Sequence, residues 1–310
     1  MTFITPFEWP FYFQRRRLCP LRAVRLTPIG CKRLKTCAVR FRRGGVLYMA
    51  LSIRLADPAG NITIFVMSAV EPRRYAQVAA MLLADNRFHA EQVAFCVPPK
   101  MGGDGRIEMM GGEFCGNATR SYGYLLSGLL PGRPERVRVE VSGADRPLAV
   151  TTDPALGRSE TEMPLPSGNL SIEYGGEAFN AILFEGIAHT VVPGASRRQD
   201  FVDGLLAAVQ NAVDSSAYGV MFLEGDHMVP VVYVRQTDST IWESSCGSGA
   251  TAVAALDAIS QQNGACRRVL TQPGGVIEAV AAARGGRVTL CSMGGPVSLS
   301  EELLWTPPTH

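Results

Sequence analysis

Short apolar runs that alternate with polar positions dominate the chain from residue 51 onward, a pattern typical of β-strands. Residues 51–68 hold two such runs on either side of the turn-forming residues Pro58-Ala59-Gly60-Asn61, and they predict a strand–turn–strand unit. Residues 72–83 change to helical spacing and predict a helix with a proline in its first turn. The apolar face of this helix comprises Tyr75, Val78, Ala79 and Leu82. Further strands are predicted at residues 91–97, 105–110, 136–142 and 147–152.

The second half of the chain repeats this order of elements with little sequence identity. Strands are predicted at residues 179–193, 218–224, 228–236, 267–282 and 287–293, and a helix at residues 200–213. Each half also holds one long apolar run with few charges, at residues 118–130 and 250–259. Because a helix that is apolar nearly all round is buried, each run predicts a central helix inside a curled sheet.

These elements predict a mixed fold of helices and strands, α/β in the broad sense and α+β in the strict one. It is built from two pseudo-repeated domains. The first domain is predicted at residues 49–165 and the second at residues 166–310, with a boundary near residues 164–168. The end of the chain can cross back to the first domain. Residues 1–48 are left out of the predicted fold because their composition differs from that of the rest.

Charge is unevenly distributed along the chain. Residues 1–48 hold eleven Lys and Arg against one acidic residue, whereas the remainder holds nineteen against twenty-seven, within a total of +2. The basic leader has the composition of an organelle transit peptide or a nucleic-acid tail, and the simpler interpretation is that the biological chain begins at Met49. The acidic body argues against a nucleic-acid partner. No apolar run reaches the roughly 20 residues of a membrane helix, so no membrane partner is predicted.

Cysteine usage indicates a reducing compartment. Five of the eight cysteines lie outside the leader, an odd number, and no secretory signal precedes them. We therefore predict free thiols and a cytoplasmic location. Structural zinc is not expected, because the chain has no Cys-x-x-Cys pair. Cys96, Cys266 and Cys291 are interpreted as core or surface thiols.

Two cysteines stand apart from the others. Cys115 and Cys246 lie 131 residues apart, in the stretches CGNATR and CGSGAT, each just before one of the two central helices. The unpaired N–H groups of a helix start stabilise an anion and lower the pKa of a thiol, and the adjacent glycines allow backbone N–H groups to approach a carboxylate. If both thiols flank one pocket, one can remove a proton from a tetrahedral carbon while the other returns a proton to the opposite face.

This two-base chemistry inverts a stereocentre and requires no pyridoxal cofactor or metal. Only three lysines are present, Lys32, Lys35 and Lys100, so a Schiff base would have to form on Lys100 in a glycine-rich loop. His189, beside a predicted strand, is interpreted as a core histidine.

At these residues the sequence resembles the diaminopimelate epimerase superfamily of cofactor-independent, two-cysteine amino-acid racemases, over about residues 49–300. The resemblance implies two similar domains, each with a curled mixed sheet around a central helix, and an active site in the cleft between them. It implies that Cys115 and Cys246 are the acid/base pair and that the protein is a homodimer. The residues implied to bind the substrate are Asn61, Gln92, Gly116, Asn117, Gly247 and Ser248.

The positions that grip the distal carboxylate in diaminopimelate epimerase differ here. The corresponding stretch is Gly186-Ile187-Ala188-His189, the second Asn position is Gly219, and a Glu-Arg pair is replaced by Thr237 and Asp238. A distal carboxylate would be left unpaired or repelled at such a site.

Within the superfamily the sequence is similar to the histidine racemases of staphylopine-type opine metallophore pathways. Five stretches carry this similarity, at residues 58–61, 91–95, 111–119, 241–249 and 272–275. It implies conversion of L-histidine to D-histidine for a metal chelator, with Glu91 and Glu243 as candidate partners of the imidazole. The alternatives are a racemase or epimerase of another amino acid, including diaminopimelate, an isomerase of the phenazine-biosynthesis type, and a non-enzymatic redox or binding protein of the same fold.

Overall fold

A large mixed β-sheet wraps around two buried helices in the computed structural model, which describes residues 39–43, 46–235 and 238–307. The helices are a short 3-10 turn at Pro72–Arg74, α1 (Tyr75–Leu83), α2 (Gly116–Leu129), α3 (Gln199–Ala212) and α4 (Gly247–Ser260). The strands of the first half are β1 (Val39–Arg43), β2 (Val46–Asp57), β3 (Thr63–Val66), β4 (Gln92–Val97), β5 (Gly105–Met109), β6 (Arg136–Val141), β7 (Leu148–Asp153) and β8 (Arg158–Glu162). Those that follow are β9 (Gly168–Tyr174), β10 (Glu177–Phe184), β11 (Ile187–Pro193), β12 (Ala217–Glu224), β13 (His227–Val234), β14 (Ser239–Trp242), β15 (Gly264–Gln272), β16 (Gly275–Arg284), β17 (Arg287–Pro296), β18 (Ser298–Leu299) and β19 (Leu303–Trp305).

The order of strand pairing is the same in the two halves and confirms the predicted pseudo-repeat. In the first half, β2–β3 is antiparallel, β3–β4 parallel across α1, β4–β5 antiparallel, β5–β6 parallel across α2, and β6–β7–β8 antiparallel. The second half follows the same sequence of orientations. There β10–β11 is antiparallel, β11–β12 parallel across α3, β12–β13 antiparallel, β13–β15 parallel across α4, and β15–β16–β17 antiparallel. Each half is thus one copy of a single strand–helix plan.

The helices α2 and α4 occupy the centres of their sheets, as their apolar sequences predict. The helix α2 contacts β2 and β5 through β8, and α4 contacts β10, β11 and β15 through β17. Fourteen-residue α4 buries an alanine-rich surface, which lets the sheet approach closely on several sides. Each helix start is therefore held by strands from most of one sheet.

The two halves are joined by strand pairing at two places. The last strands of the repeats, β8 and β17, pair antiparallel with each other. Beyond them, β18 and β19 pair with β2, and the indole Nε1 of Trp305 donates a hydrogen bond to Asp85 at 3.0 Å. Of the predicted domain boundaries, the one at residue 49 falls inside β2, and the one at residue 165 falls between β8 and β9. The division into domains stays a prediction.

The structure confirms the predicted strands and helices of the body and adds short strands that the pattern does not reveal. The added strands are β8, β9, β14, β18 and β19. Of the basic leader, residues 1–38, 44 and 45 lie outside the described residues, whereas β1 and the start of β2 form a hairpin ahead of Met49.

The buried carboxylate of Glu140 fixes one loop of the first half, and its contribution to stability is expected to depend on pH. Glu140 in β6 accepts hydrogen bonds from the backbone N–H groups of Lys100, Met101 and Gly103 at 2.6–2.8 Å and from Arg106 Nη1 at 3.3 Å. Burial opposes its ionised form, but these donors outweigh burial and hold the pKa of Glu140 at about 2.

We expect Glu140→Gln to lower the free energy of unfolding by about 2 to 3 kcal/mol at pH 7. Because the folded pKa lies below the unfolded one, this contribution is present above about pH 4.3 and disappears as the pH falls toward 2. Urea unfolding of both proteins between pH 7 and pH 2.5 measures the difference, with the exposed Glu160→Gln as control. A difference that does not change with pH would contradict this assignment.

Candidate active site

Cys115 and Cys246 are the N-cap residues of the two central helices. Both have extended backbones, with φ/ψ of −136°/112° and −123°/110°, and the helix begins at the glycine that follows each cysteine. Cys115 Sγ accepts a hydrogen bond from the N–H of Ala118 at 3.4 Å. The structure therefore puts both thiols beside helix-start N–H groups, where the sequence predicted them.

The two helix starts meet at one side chain. A Cβ atom built on Gly116 would lie 2.6 Å from Met293 Sδ, and one built on Gly247 would lie 2.4 Å from the same sulfur. Phe114, next to Cys115, packs against the cores of both halves. The charge of Glu243, which neighbours Cys246, also acts on the pKa of Cys115. Both cysteines consequently border one site at the junction of the halves.

The thiols do not have the lowered pKa that their helix positions predict. Burial raises the pKa of Cys115 to about 12, and the N–H groups of Ala118 and Asn117 oppose this shift only in part. Burial, followed by the charge of Glu243, raises the pKa of Cys246 well above its usual value. The prediction was wrong because it counted the helix-start N–H groups and not the loss of water around the sulfur. Both groups are therefore thiols at neutral pH.

A hydrogen-bonded chain connects Cys246 to a buried histidine. Ser248 Oγ lies 3.6 Å from Cys246 Sγ and 2.8 Å from His189 Nε2. His189 is fully buried, which lowers its pKa to about 3, and its Nδ1 has no hydrogen-bond partner among the described residues. An unpaired lone pair costs less than an unpaired N–H, so we assign the proton to Nε2, which donates to Ser248 and leaves the Ser248 hydroxyl free to donate to Cys246. His189 is a core histidine, as interpreted from the sequence, but it also orients a group at the site.

Glu243 is a second group that acts on Cys246. The charge of Glu243 raises the pKa of the Cys246 thiol, and burial, with a smaller effect from Glu91, raises the pKa of Glu243 to about 7. Its Oε2 is buried without a hydrogen-bond partner within the described residues. Glu243 is therefore a candidate base beside Cys246, and it still has one oxygen free for a ligand.

Asn61 and Glu91 link the two halves across the site. Asn61 Nδ2 donates to Glu91 at 2.6 Å, and Ser244 Oγ, from the second half, donates to the other carboxylate oxygen at 2.7 Å. Asn117 Nδ2 donates to Asn61 Oδ1 at 3.4 Å. These contacts bring together the predicted residues Asn61, Glu91 and Asn117 beside the second cysteine loop.

Two residues that the sequence analysis did not select hold this arrangement in place. Arg120 is fully buried; its Nε donates to Asn117 Oδ1 at 3.3 Å and its Nη1 donates to the carbonyls of Gly295 and Pro296. Gln272 Oε1 accepts the backbone N–H of Cys246 at 2.7 Å. Arg120 belongs to the stretch CGNATR and Gln272 to residues 272–275, and these two stretches were the available signal. Their contacts with distant residues cannot be read from the sequence.

Two glycine-containing turns, one from each half, are in close contact near the site. Gly60, with φ of 84°, approaches Gly274 so closely that a Cβ on Gly60 would lie 2.6 Å from Gly274 Cα. A Cβ on Gly274 would lie 2.5 Å from the carbonyl oxygen of Ala59. The backbone of Gly274 also donates to the carbonyl of Ser244 at 2.7 Å. The turn from the first half thus packs against the residue that hydrogen-bonds to Ser244.

Other predicted residues have more limited roles in the structure. Gln92 begins β4, and its buried Oε1 has no partner within the described part of the chain, so it can accept a hydrogen bond from a ligand. At position 219 a side chain would collide with His189, because a Cβ there would lie 2.2 Å from Nδ1. Asp238 is exposed and accepts a hydrogen bond from Tyr233, and Thr237 lies outside the described residues.

No cluster of three or more His, Cys, Asp and Glu side chains suited to a metal ion occurs in residues 39–43, 46–235 and 238–307. Over the same residues, no helix is both long and apolar enough to cross a membrane. Lys100 has a largely exposed side chain, with its Nζ 3.9 Å from Glu108.

Comparison with known proteins agrees with this architecture. The family model described as "Histidine racemase CntK N-terminal domain" matches residues 53–302. A histidine racemase of Staphylococcus aureus (strain Mu50) is 30% identical over 236 residues, which cover 71% of this chain and 85% of the relative. A hydroxyproline epimerase from Agrobacterium vitis, solved with trans-4-hydroxy-L-proline, has a similar fold at 12% identity, with a TM-score of 0.57 over 83% of this chain and 92% of that one. A phenazine biosynthesis protein from Enterococcus faecalis has a TM-score of 0.56 at 16% identity, over 83% and 99% of the two chains.

The pseudo-repeated fold and these relatives define an isomerase of the amino-acid racemase and epimerase class. The family model matches most of this chain, and the alignment with the Staphylococcus aureus relative covers most of that protein's length. The chain belongs to the histidine racemase family.

Proposed function

We propose that the protein interconverts L-histidine and D-histidine without a cofactor, using Cys115 and Cys246 as the two acid/base groups. The observation that carries this proposal is the meeting of two cysteine-capped helix starts at one site. Histidine as the substrate is supported by the name of the Staphylococcus aureus relative and by the replacement of the residues that would hold a distal carboxylate.

The helix starts suit a bound α-carboxylate. The first N–H groups of a helix have no partner within the helix and stabilise an anion. Asn117 and Ser248, with the glycines before them, place such groups on both sides of the site. Charge that develops on the carboxylate when the Cα–H bond breaks would be stabilised there.

Proton transfer requires one thiolate and one thiol. In the proposed step, Glu243 takes the proton of Cys246 in an unfavourable pre-equilibrium, because the thiol has the higher pKa of the two groups. The resulting thiolate removes the Cα proton to form a new S–H bond. The thiol of Cys115 then gives its proton to the opposite face of Cα and becomes the thiolate. The reverse turnover begins from that state. The free Oε2 of Glu243 is the best-placed acceptor for an imidazole N–H, because both oxygens of Glu91 already accept hydrogen bonds.

The wider setting follows the resemblance. D-Histidine would be consumed by a synthase that builds an opine-type metallophore, and the reaction would take place in the cytoplasm, where thiols remain reduced. A homodimer is expected from the same resemblance, and light scattering of the purified protein measures it.

The proposal is tested by incubating reduced protein with L-histidine in deuterium oxide, with no added cofactor. We expect D-histidine that carries deuterium at Cα, detected by chiral chromatography and mass spectrometry. Turnover of a different amino acid, but not of histidine, would change the substrate and keep the two-base reaction. Absence of exchange across a panel of amino acids would overturn the proposal.

A further inference from the structure

Met293 lies between the two helix starts that carry the cysteines. It belongs to β17 and is 1% exposed. Its sulfur is so close to Gly116 and Gly247 that a Cβ on either glycine would come within 2.4–2.6 Å of Sδ. Both glycines directly follow a cysteine, so the thioether fills the space between the first turn of α2 and the first turn of α4.

Met293 lies on a strand that is hydrogen-bonded to both halves of the chain. The strand β17 pairs with β16 of the second half and with β8 of the first. Protein interiors are close-packed, so a change in the volume of this side chain must be taken up by movement of one helix start or both. Two-base inversion depends on the sulfurs reaching opposite faces of one carbon, and misplacement by about 1 Å can lower a rate about 10²-fold.

We propose that Met293 is a positioning residue that sets the separation of Cys115 and Cys246 by filling the gap between Gly116 and Gly247. This inference rests on the proposed two-cysteine reaction. In this role Met293 acts through the two glycines.

Two neighbouring methionines provide matched controls, because each contacts one helix start. Met163 Sδ would lie 2.8 Å from a Cβ on Gly116, whereas no Met163 atom is among the neighbours of a Cβ on Gly247. Met221 Sδ would lie 2.1 Å from a Cβ on Gly249, the third residue of α4. All three methionines are buried in the same core cluster. They share chemistry and burial with Met293 but do not separate the two cysteines.

The first experiment compares Met293→Ala with Met163→Ala. We expect both to lower the melting temperature to a similar extent, but Met293→Ala to lower kcat about 10- to 100-fold in both directions with a much smaller change in KM. Met163→Ala should keep kcat within about threefold. Met293→Leu, which nearly conserves volume, should recover most of the lost kcat. If Met293→Ala does not fold, Met293→Val replaces it in the same comparison.

The second experiment is a double-mutant cycle with Gly247→Ala. The added methyl group collides with Met293 in the native background but has room when residue 293 is alanine. We expect Gly247→Ala to reduce kcat and the double variant to recover at least part of it. Additive losses, or a Met293→Ala enzyme with native kcat, would overturn the positioning role. A different result would show that the two-cysteine mechanism itself is wrong: the serine variants of Cys115 and Cys246 would then stay active.

Discussion

Cys115→Ser and Cys246→Ser are each expected to lower racemisation by about 10³-fold or more. A serine hydroxyl is a far weaker acid than a thiol, so it can neither hold the negative charge of the base nor supply the proton at a comparable rate. The loss should appear with both enantiomers as substrate, because each turnover uses both groups. Chiral chromatography of the product from L- and D-histidine measures it.

The single variants should also show which cysteine acts on which face of the substrate Cα. The remaining cysteine can still remove a proton from one enantiomer, so Cα exchange in deuterium oxide is expected from only one of L- and D-histidine in each variant, and from opposite ones in the two. Cys266→Ser is the control, since that half-buried thiol contacts Asp257 rather than the site. Normal racemisation by both serine variants would make the two cysteines structural.

Glu243→Gln is expected to have the second largest effect, a decrease in kcat/KM of about 10²-fold at pH 8. Glutamine keeps the shape of the side chain but cannot accept the Cys246 proton. With the pKa of Glu243 raised to about 7, the native kcat/KM should rise as the pH increases through 7, and this step should be absent in the variant. The two proteins should therefore differ less at pH 6, where most of the native carboxyl group is protonated.

The stability of Glu243→Gln gives an independent measure of the raised pKa of Glu243. Because the folded pKa of Glu243 lies above its unfolded value, the folded state is favoured while the carboxyl group is protonated and loses stability as the pH rises through about 7. Relative to the native protein, Glu243→Gln should gain stability between pH 5 and pH 8 in urea unfolding. The exposed Glu224→Gln serves as control, and an unchanged pH profile for activity would remove Glu243 from the proton transfer.

Much of the fold could be predicted from the chain because the halves repeat one plan. The apolar spacing located α1 through α4 and the longer strands, and the Cys-Gly stretches located the two helix starts. Strands such as β8 and β14 were not predicted, since they have four or five residues without apolar alternation and form only because neighbouring strands pair with them.

The chemistry of the site was harder to predict than its residues. The thiol pKa depends on how completely the folded chain removes water from the sulfur, which no local pattern reports. The contact between His189 and Ser248 joins residues 59 positions apart, and that between Arg120 and Gly295 joins residues 175 apart. Such contacts are set by the packing of the two central helices. Sequence patterns therefore located the candidate reactive groups, while tertiary structure decides their protonation and orientation.

The pairing of β18 and β19 with β2 affects how the protein can be made on the ribosome. Ser52 on β2 hydrogen-bonds to Glu302, 250 residues later in the chain. At a synthesis rate of about 5–20 residues per second, the β2 edge waits roughly 10 to 50 s for its final partners. An unpaired strand edge can recruit a second nascent chain during that time. Strands β18 and β19 therefore complete the sheet of the first half long after β2 has been made, and chaperone capacity during translation should limit the yield of folded protein.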